Sequence, residues 1–184
     1  VTSTRQRLGR TAVAVCILGA VLLGCASLDR PRAQGDTVAL PTPIRSFDTA
    51  ISDAVVALSA AVTAAGSRLE VPAAAYRPSE PQSLLQVPRA VLRADLADPD
   101  EGHVVIYRAL DAAGATSMAT ELTAYLGSGL GLTNYPADMR FSVAVLGDTV
   151  IFTGWSPGRS SDRERGEVVF EALASVGRSV EVVR

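Results

Sequence analysis

His103 is the only histidine in the 184-residue chain, and three carboxylates, Asp98, Asp100 and Glu101, stand just before it. An imidazole beside carboxylates is the minimum for general-base chemistry or a metal site. A zinc site wants several nitrogen or sulfur donors, and the two cysteines, Cys16 and Cys25, lie far upstream. The acidic spacing also misses the calcium helix-loop-helix pattern. Asp98-Pro99-Asp100-Glu101-Gly102 therefore reads as a turn, with His103 as a solvated strand end. No serine is read into a strand-turn-helix elbow of the Gly-x-Ser-x-Gly kind. Gly127-Ser128-Gly129-Leu130-Gly131 looks like a phosphate cradle, but such a loop must leave a strand and enter a helix. This one leaves a helix toward Tyr135-Pro136 and reads as a helix stop with a flexible connection. Trp155, in Gly154-Trp155-Ser156-Pro157-Gly158, and Tyr135 are aromatics that strand packing does not account for. An exposed tryptophan would suit a ligand or partner contact, although one covering the edge of a small core is commoner.

The cysteines belong to a different chemistry. Residues 1 to 10 carry Arg5, Arg7 and Arg10 and no acid; residues 11 to 24 form an uncharged apolar run; Gly24, Cys25, Ala26 and Ser27 follow. That is the three-part layout of a secretory signal. A run of 14 residues is short for a helix spanning a bilayer core, which takes ~20, although extension to Leu28 leaves an uncleaved anchor open. Leu22-Leu23-Gly24-Cys25 resembles the lipobox of bacterial lipoproteins, with Leu23 bulkier than that pattern usually has. The resemblance implies cleavage before Cys25, diacylation of its thiol, and residence on a membrane facing the periplasm or the cell exterior. Two or three acyl chains give the stable anchoring that a single chain does not. Cys16 would leave with the signal, so the mature chain would hold no disulfide and no thiol ligand.

Charge narrows the partners. All 17 cations are arginine, three of them precede Cys25, and all 19 acids follow it, so the segment from Cys25 onward carries 14 against 19, about −5. A mildly acidic body without a basic stripe argues against nucleic acid. The membrane, reached through lipid on Cys25, and a protein are the expected partners; no cofactor or metal is expected.

The elements follow from periodicity. Ala26 to Pro43 is polar and proline-bearing, a flexible spacer with a typical span on the order of 25 Å. Thr42 as N-cap and Pro43 at the first helical position open a helix with the apolar stripe Ile44, Phe47, Ile51, Val55, Leu58 and Val62, closed by Gly66. Asp48, Ser52, Asp53 and Ser59 fall on its other side. Residues 71 to 88 are irregular and proline-rich. Ala90, Leu92, Ala94 and Leu96 alternate with charges as a half-buried strand, and His103 to Leu110 returns as a central strand apolar on both faces. Asp111 caps a helix with the inward stripe Ala115, Met118, Ala119, Leu122 and Leu126, ended by Gly127. The pattern repeats: Phe141, Val143 and Val145; a Gly147-Asp148 hairpin loop; Thr149 to Trp155; then a helix with Val169, Ala172, Leu173 and Val176 that stops at Gly177. Ser161-Asp162-Arg163-Glu164 reads as its capping box, and Val180 to Val183 as a last strand.

The chain thus divides into a signal (1–24), a lipidated cysteine with spacer (25–43) and one α+β domain (44–184). The predicted domain is two-layered, with an antiparallel sheet of four to five strands, helices over one face, and two hairpin-helix units after the first helix. Val105-Ile106-Tyr107 and Val150-Ile151-Phe152 match in texture, leaving duplication open. From about Ile44 to Arg184 the body is similar to uncharacterised secreted proteins of GC-rich bacteria that share this layout and a Trp-Ser-Pro after the last hairpin; no activity attaches to that likeness. The expected role is a non-catalytic binding or interaction domain on a lipid anchor. The alternatives are a carrier of a small apolar ligand and a hydrolase using carboxylates alone.

Overall fold

A strand with apolar residues on both faces must be covered on both, and that requirement sets the architecture of this chain. The computed structural model describes residues 48–73, 75–97 and 102–183. Signal, lipobox, Cys25, spacer and the Asp98–Glu101 turn all lie outside the described residues. The elements run α1 (Thr49–Ala64), β1 (Leu69–Glu70), a 3-10 turn (Gln82–Gln86), β2 (Arg89–Ala94), β3 (His103–Arg108), α2 (Ala112–Gly127), α3 (Gly129–Asn134), β4 (Arg140–Leu146), β5 (Thr149–Trp155), α4 (Arg163–Ala174) and β6 (Arg178–Val180).

The class is α+β, with one antiparallel sheet of six strands in the order β1-β2-β3-β5-β4-β6. The strand count exceeds the expected four to five because β1 adds two residues at one edge, pairing Leu69 with Ala94 before Pro72 ends it. β3 is central, as its two-faced apolar character predicts: Val104, Val105, Ile106 and Tyr107 are all fully buried. The two similar triplets meet head to tail across the middle of the sheet, pairing Val105 with Phe152, Ile106 with Ile151 and Tyr107 with Val150.

The helices do not share one face. Ile106 and Ile151 point into a core closed by Ile51, Leu58 and Val62 of α1 and Val169, Phe170 and Leu173 of α4. Val105, Tyr107, Val150 and Phe152 point the other way, into a core closed by Ala115, Ala119, Leu122 and Leu126 of α2. One helix layer therefore covers each face, and the expected two layers become three. This also limits the likeness of the two hairpin-helix units, whose helices close opposite faces.

One helix start, that of α4, differs from the sequence expectation. Asp48 caps α1, accepting the Ala50 N–H at 2.9 Å, and the expected start at Thr42 and Pro43 lies outside the described residues. Asp162, not Ser161, caps α4, accepting the Arg165 N–H at 3.0 Å. Ser161 instead donates its hydroxyl to the Ala97 carbonyl, and Ser160 donates to that of Leu96, tying the β5–α4 connection to the end of β2. Asp111 caps α2 as expected, through the Gly114 N–H. The last strand begins directly after Gly177 and runs Arg178–Val180, earlier than the expected Val180–Val183.

Candidate functional site

Strand register sorts most connections to one of two ends of the sheet. Arg108 pairs with Thr149, so the β3–α2 connection, the Gly147-Asp148 hairpin and the start of α1 share one end, where Arg108 forms ion pairs with Asp48 at 3.2 Å and Asp148 at 2.7 Å. Two carbonyls, those of Ala109 and Asp148, also accept from its guanidinium. At the opposite end stand His103, Trp155, Arg140 and Arg93, with the α1–β1 turn, the β2–β3 turn, the α3–β4 connection and the long β5–α4 connection. The first end holds the tight Gly147-Asp148 turn and the point where the 71–88 segment enters β2 at Arg89, and several connections crown the second. Loops on a rigid scaffold are where binding residues concentrate.

Buried polar contacts that sequence reading did not find fasten the segment between β1 and β2. The Glu80 side chain is fully buried and accepts from Arg89 at 2.7 Å, from Arg77 at 3.3 Å and from the Tyr107 hydroxyl at 2.6 Å. Burial, and then the adjoining Glu80 carboxylate, push the Tyr107 phenol far above its ordinary pKa. Ser79 and Tyr125 hydroxyls lie 2.5 Å apart, Asn134 donates to both, and the Tyr135 hydroxyl donates to the Ser79 carbonyl at 2.8 Å. Tyr135 thus fastens the proline-rich segment and packs edge-on against Phe141. Partners so far apart in sequence leave no local pattern to read.

His103 is half-buried, not a solvated strand end. Its ring stacks flat on Tyr76, with centroids 3.6 Å apart and planes within 4°. Nδ1 is buried without a hydrogen-bond partner among the described residues. Burial, and then the Arg93 guanidinium, lower its pKa below the usual imidazole value. Asp98, Asp100 and Glu101 lie outside the described residues. Among those described, no group of three or more His, Cys, Asp or Glu side chains could hold a metal ion.

Trp155 is fully buried, the commoner of its two readings. Its indole packs on Phe170, with the Arg140 guanidinium 5.5 Å from the ring, and its N–H is buried without a hydrogen-bond partner among the described residues. Arg140 is itself held by Glu167 and by Glu171, the latter at 2.6 Å. The next residue corrects the sequence reading: Gly154-Trp155-Ser156-Pro157-Gly158 does carry Gly-x-Ser-x-Gly spacing after a strand. A nucleophile elbow needs an exposed hydroxyl and a histidine base. Ser156 is fully buried and donates to Asp138 at 2.7 Å, while the other Asp138 oxygen accepts the Gly158 N–H at 2.6 Å. Ser156 and Asp138 pin the turn, and these two contacts hold the Asp138 carboxyl below its ordinary pKa.

At Gly127–Gly131 the flexible connection proves to be a second short helix. Ser128 caps α3, its hydroxyl accepting the Gly131 N–H at 3.3 Å. Gly131 is needed because any Cβ there would collide with the Tyr125 and Leu126 carbonyls. The amide a phosphate would need is already used.

Two clefts open at the loop end. One, of about 480 Å³, is lined by Gly66, Ser67, Arg68, Glu70, Arg93, Ala94, Asp95 and Arg165. The other, of about 490 Å³, follows the edge of β4 between Phe170 and Val182. In the first, Arg68 pairs with Glu70 at 2.5 Å and Arg165 with Asp95 at 2.9 Å. The valines and leucines between sheet and helices, which an apolar carrier would use, are buried in the two cores. The described residues include no helix long and apolar enough to cross a membrane. No protein-family model, curated protein or solved structure matches the chain, so its functional reading rests on this geometry and on the sequence.

Proposed function

We propose that this chain is an extracytoplasmic lipoprotein, acylated on Cys25, whose α+β body is a non-catalytic module that binds a protein partner through its loop end. One observation carries the reading: the α1–β1, α3–β4 and β5–α4 connections and two clefts gather at the end of the sheet opposite Asp48, while a third cleft, of about 720 Å³, opens beside Asp48, Arg108 and Asp148. With strands of seven residues the two ends are ~20 Å apart. Loops gathered on a rigid scaffold are where a partner would be bound.

Intact-mass measurement on protein from its native membrane tests the tether. A species starting at Cys25 with added acyl mass, abolished by Cys25→Ala, is expected; a full-length unacylated mass would overturn it. Photo-crosslinkers at Ala137 or Arg159, at the loop end, and at Leu110, at the tight-turn end, test the module. A discrete adduct from the loop positions alone is expected, and adducts from Leu110 alone would reverse the polarity.

A further inference from the structure

Between Glu70, where β1 ends, and Arg89, where β2 begins, the chain makes an excursion with no regular structure beyond a five-residue 3-10 turn. Connections longer than ~12–15 residues are uncommon in a compact domain, and the packed ones are mostly lids and binding loops. Its ends stay close together: Glu70 pairs with Arg93, four positions along β2 from Arg89 and so ~13 Å from it. Among the described residues, the backbone hydrogen bonds of 75–87 are internal, from the Leu84 N–H to the Pro81 carbonyl at 3.0 Å and from the Val87 N–H to the Leu84 carbonyl at 3.2 Å. Lifting the segment therefore breaks no ladder of the sheet. Side chains hold it down. Leu84 is fully buried in the core that α2 closes, Ser83 donates to Glu121 of α2 at 2.6 Å, and the Tyr135 hydroxyl reaches the Ser79 carbonyl. The strongest hold is Glu80, whose fully buried carboxylate takes the Tyr107 hydroxyl and the Arg89 guanidinium.

A carboxylate cut off from water is tolerated only while such donors surround it, so this hold does not loosen by degrees. Pro81 and the 3-10 turn make a short, stiff link from Glu80 to Leu84, so the carboxylate and the buried leucine leave together. We infer that residues 75–87 form a lid that opens as one unit, with Glu80 as its latch, while the sheet and α2 stay folded. The open form uncovers the flank of the core that Leu84 closes and presents Arg89 and the Tyr107 hydroxyl to solvent. This device is independent of acylation at Cys25 and of which end of the sheet meets a partner.

The test is native-state amide exchange of the full chain, followed by NMR in sub-denaturing urea. The Leu84 and Val87 amides report the lid, and those of β3 and β5 report global unfolding. The lid amides are expected to exchange together, faster than the strands and with a urea dependence of their own. Leu173→Val, in the core on the other face of the sheet, should speed the strands about fivefold and leave the lid amides unchanged. Glu80→Gln should speed the lid amides about a hundredfold. Tyr107→Phe, which keeps the ion pair and serves should Glu80→Gln not fold, should speed them about fivefold. Lid amides that accelerate with the strands in Leu173→Val, that exchange without urea dependence, or that ignore both latch variants overturn the lid.

Discussion

Among single residues, Glu80 and His103 make the sharpest predictions. Glu80→Ala leaves Arg89 and the Tyr107 hydroxyl without their buried acceptor, and removing one partner of a buried charge pair costs ~3–5 kcal/mol. Urea denaturation should show that loss, against only ~1 kcal/mol for Tyr107→Phe, which removes one hydrogen bond and leaves the ion pair. His103 introduces a pH dependence. Its folded pKa lies below the ordinary value of 6.5, so the unfolded chain takes up the proton first as pH falls. Stability contributed by the neutral ring is therefore complete above about pH 7 and declines as pH drops through 6.5 toward the folded value. Melting temperature measured from pH 7.5 down to 5 should fall for the wild type and be flatter for His103→Phe, which keeps a ring for Tyr76. Parallel slopes would show that other groups set the response.

At the level of elements, close packing decides where glycine is required. Gly166 brings α4 against the sheet so tightly that a Cβ would lie 2.8 Å from the Leu96 carbonyl oxygen and 2.8 Å from the Trp155 ring. Gly166→Ala should destabilise by ~1–3 kcal/mol despite alanine's better helix propensity, because neither backbone nor buried indole can move aside. Gly129, at the first position of α3, has nothing within 4 Å of a Cβ. Gly129→Ala should be neutral or stabilising by up to ~1 kcal/mol. Equal effects on thermal unfolding would mean that α4 does not approach the sheet as described. Much of this level was legible in advance: the α1 and α2 stripes, the Asp111 cap and the Gly147-Asp148 hairpin rest on short-range periodicity and turn chemistry. The cap at Asp162 was assigned to Ser161 because the adjacent polar residue is an equally good cap locally. Ser160 and Ser161 are claimed by carbonyls of Leu96 and Ala97, more than sixty positions away.

For the molecule as a whole, amide exchange should rank the strands by their place in the sheet. β3 and β5, paired on both sides and covered by helices on both faces, should exchange only with global unfolding, and the short edges β1 and β6 much sooner. Sequence alone determined the α+β class, most of the helices and strands, and the centrality of β3, because amphipathic period and turn residues act within a few positions of one another. It also carries the lipobox resemblance at Cys25, which is a local string. Only the tertiary structure decided that helices cover both faces, that Trp155 and Ser156 are buried, that Glu80 joins Arg89 and Tyr107, and that three arginines meet in one cleft. Each of those depends on which distant segments the sheet brings together. Here a single strand order does so, through side chains whose local surroundings are compatible with a surface position as readily as a buried one.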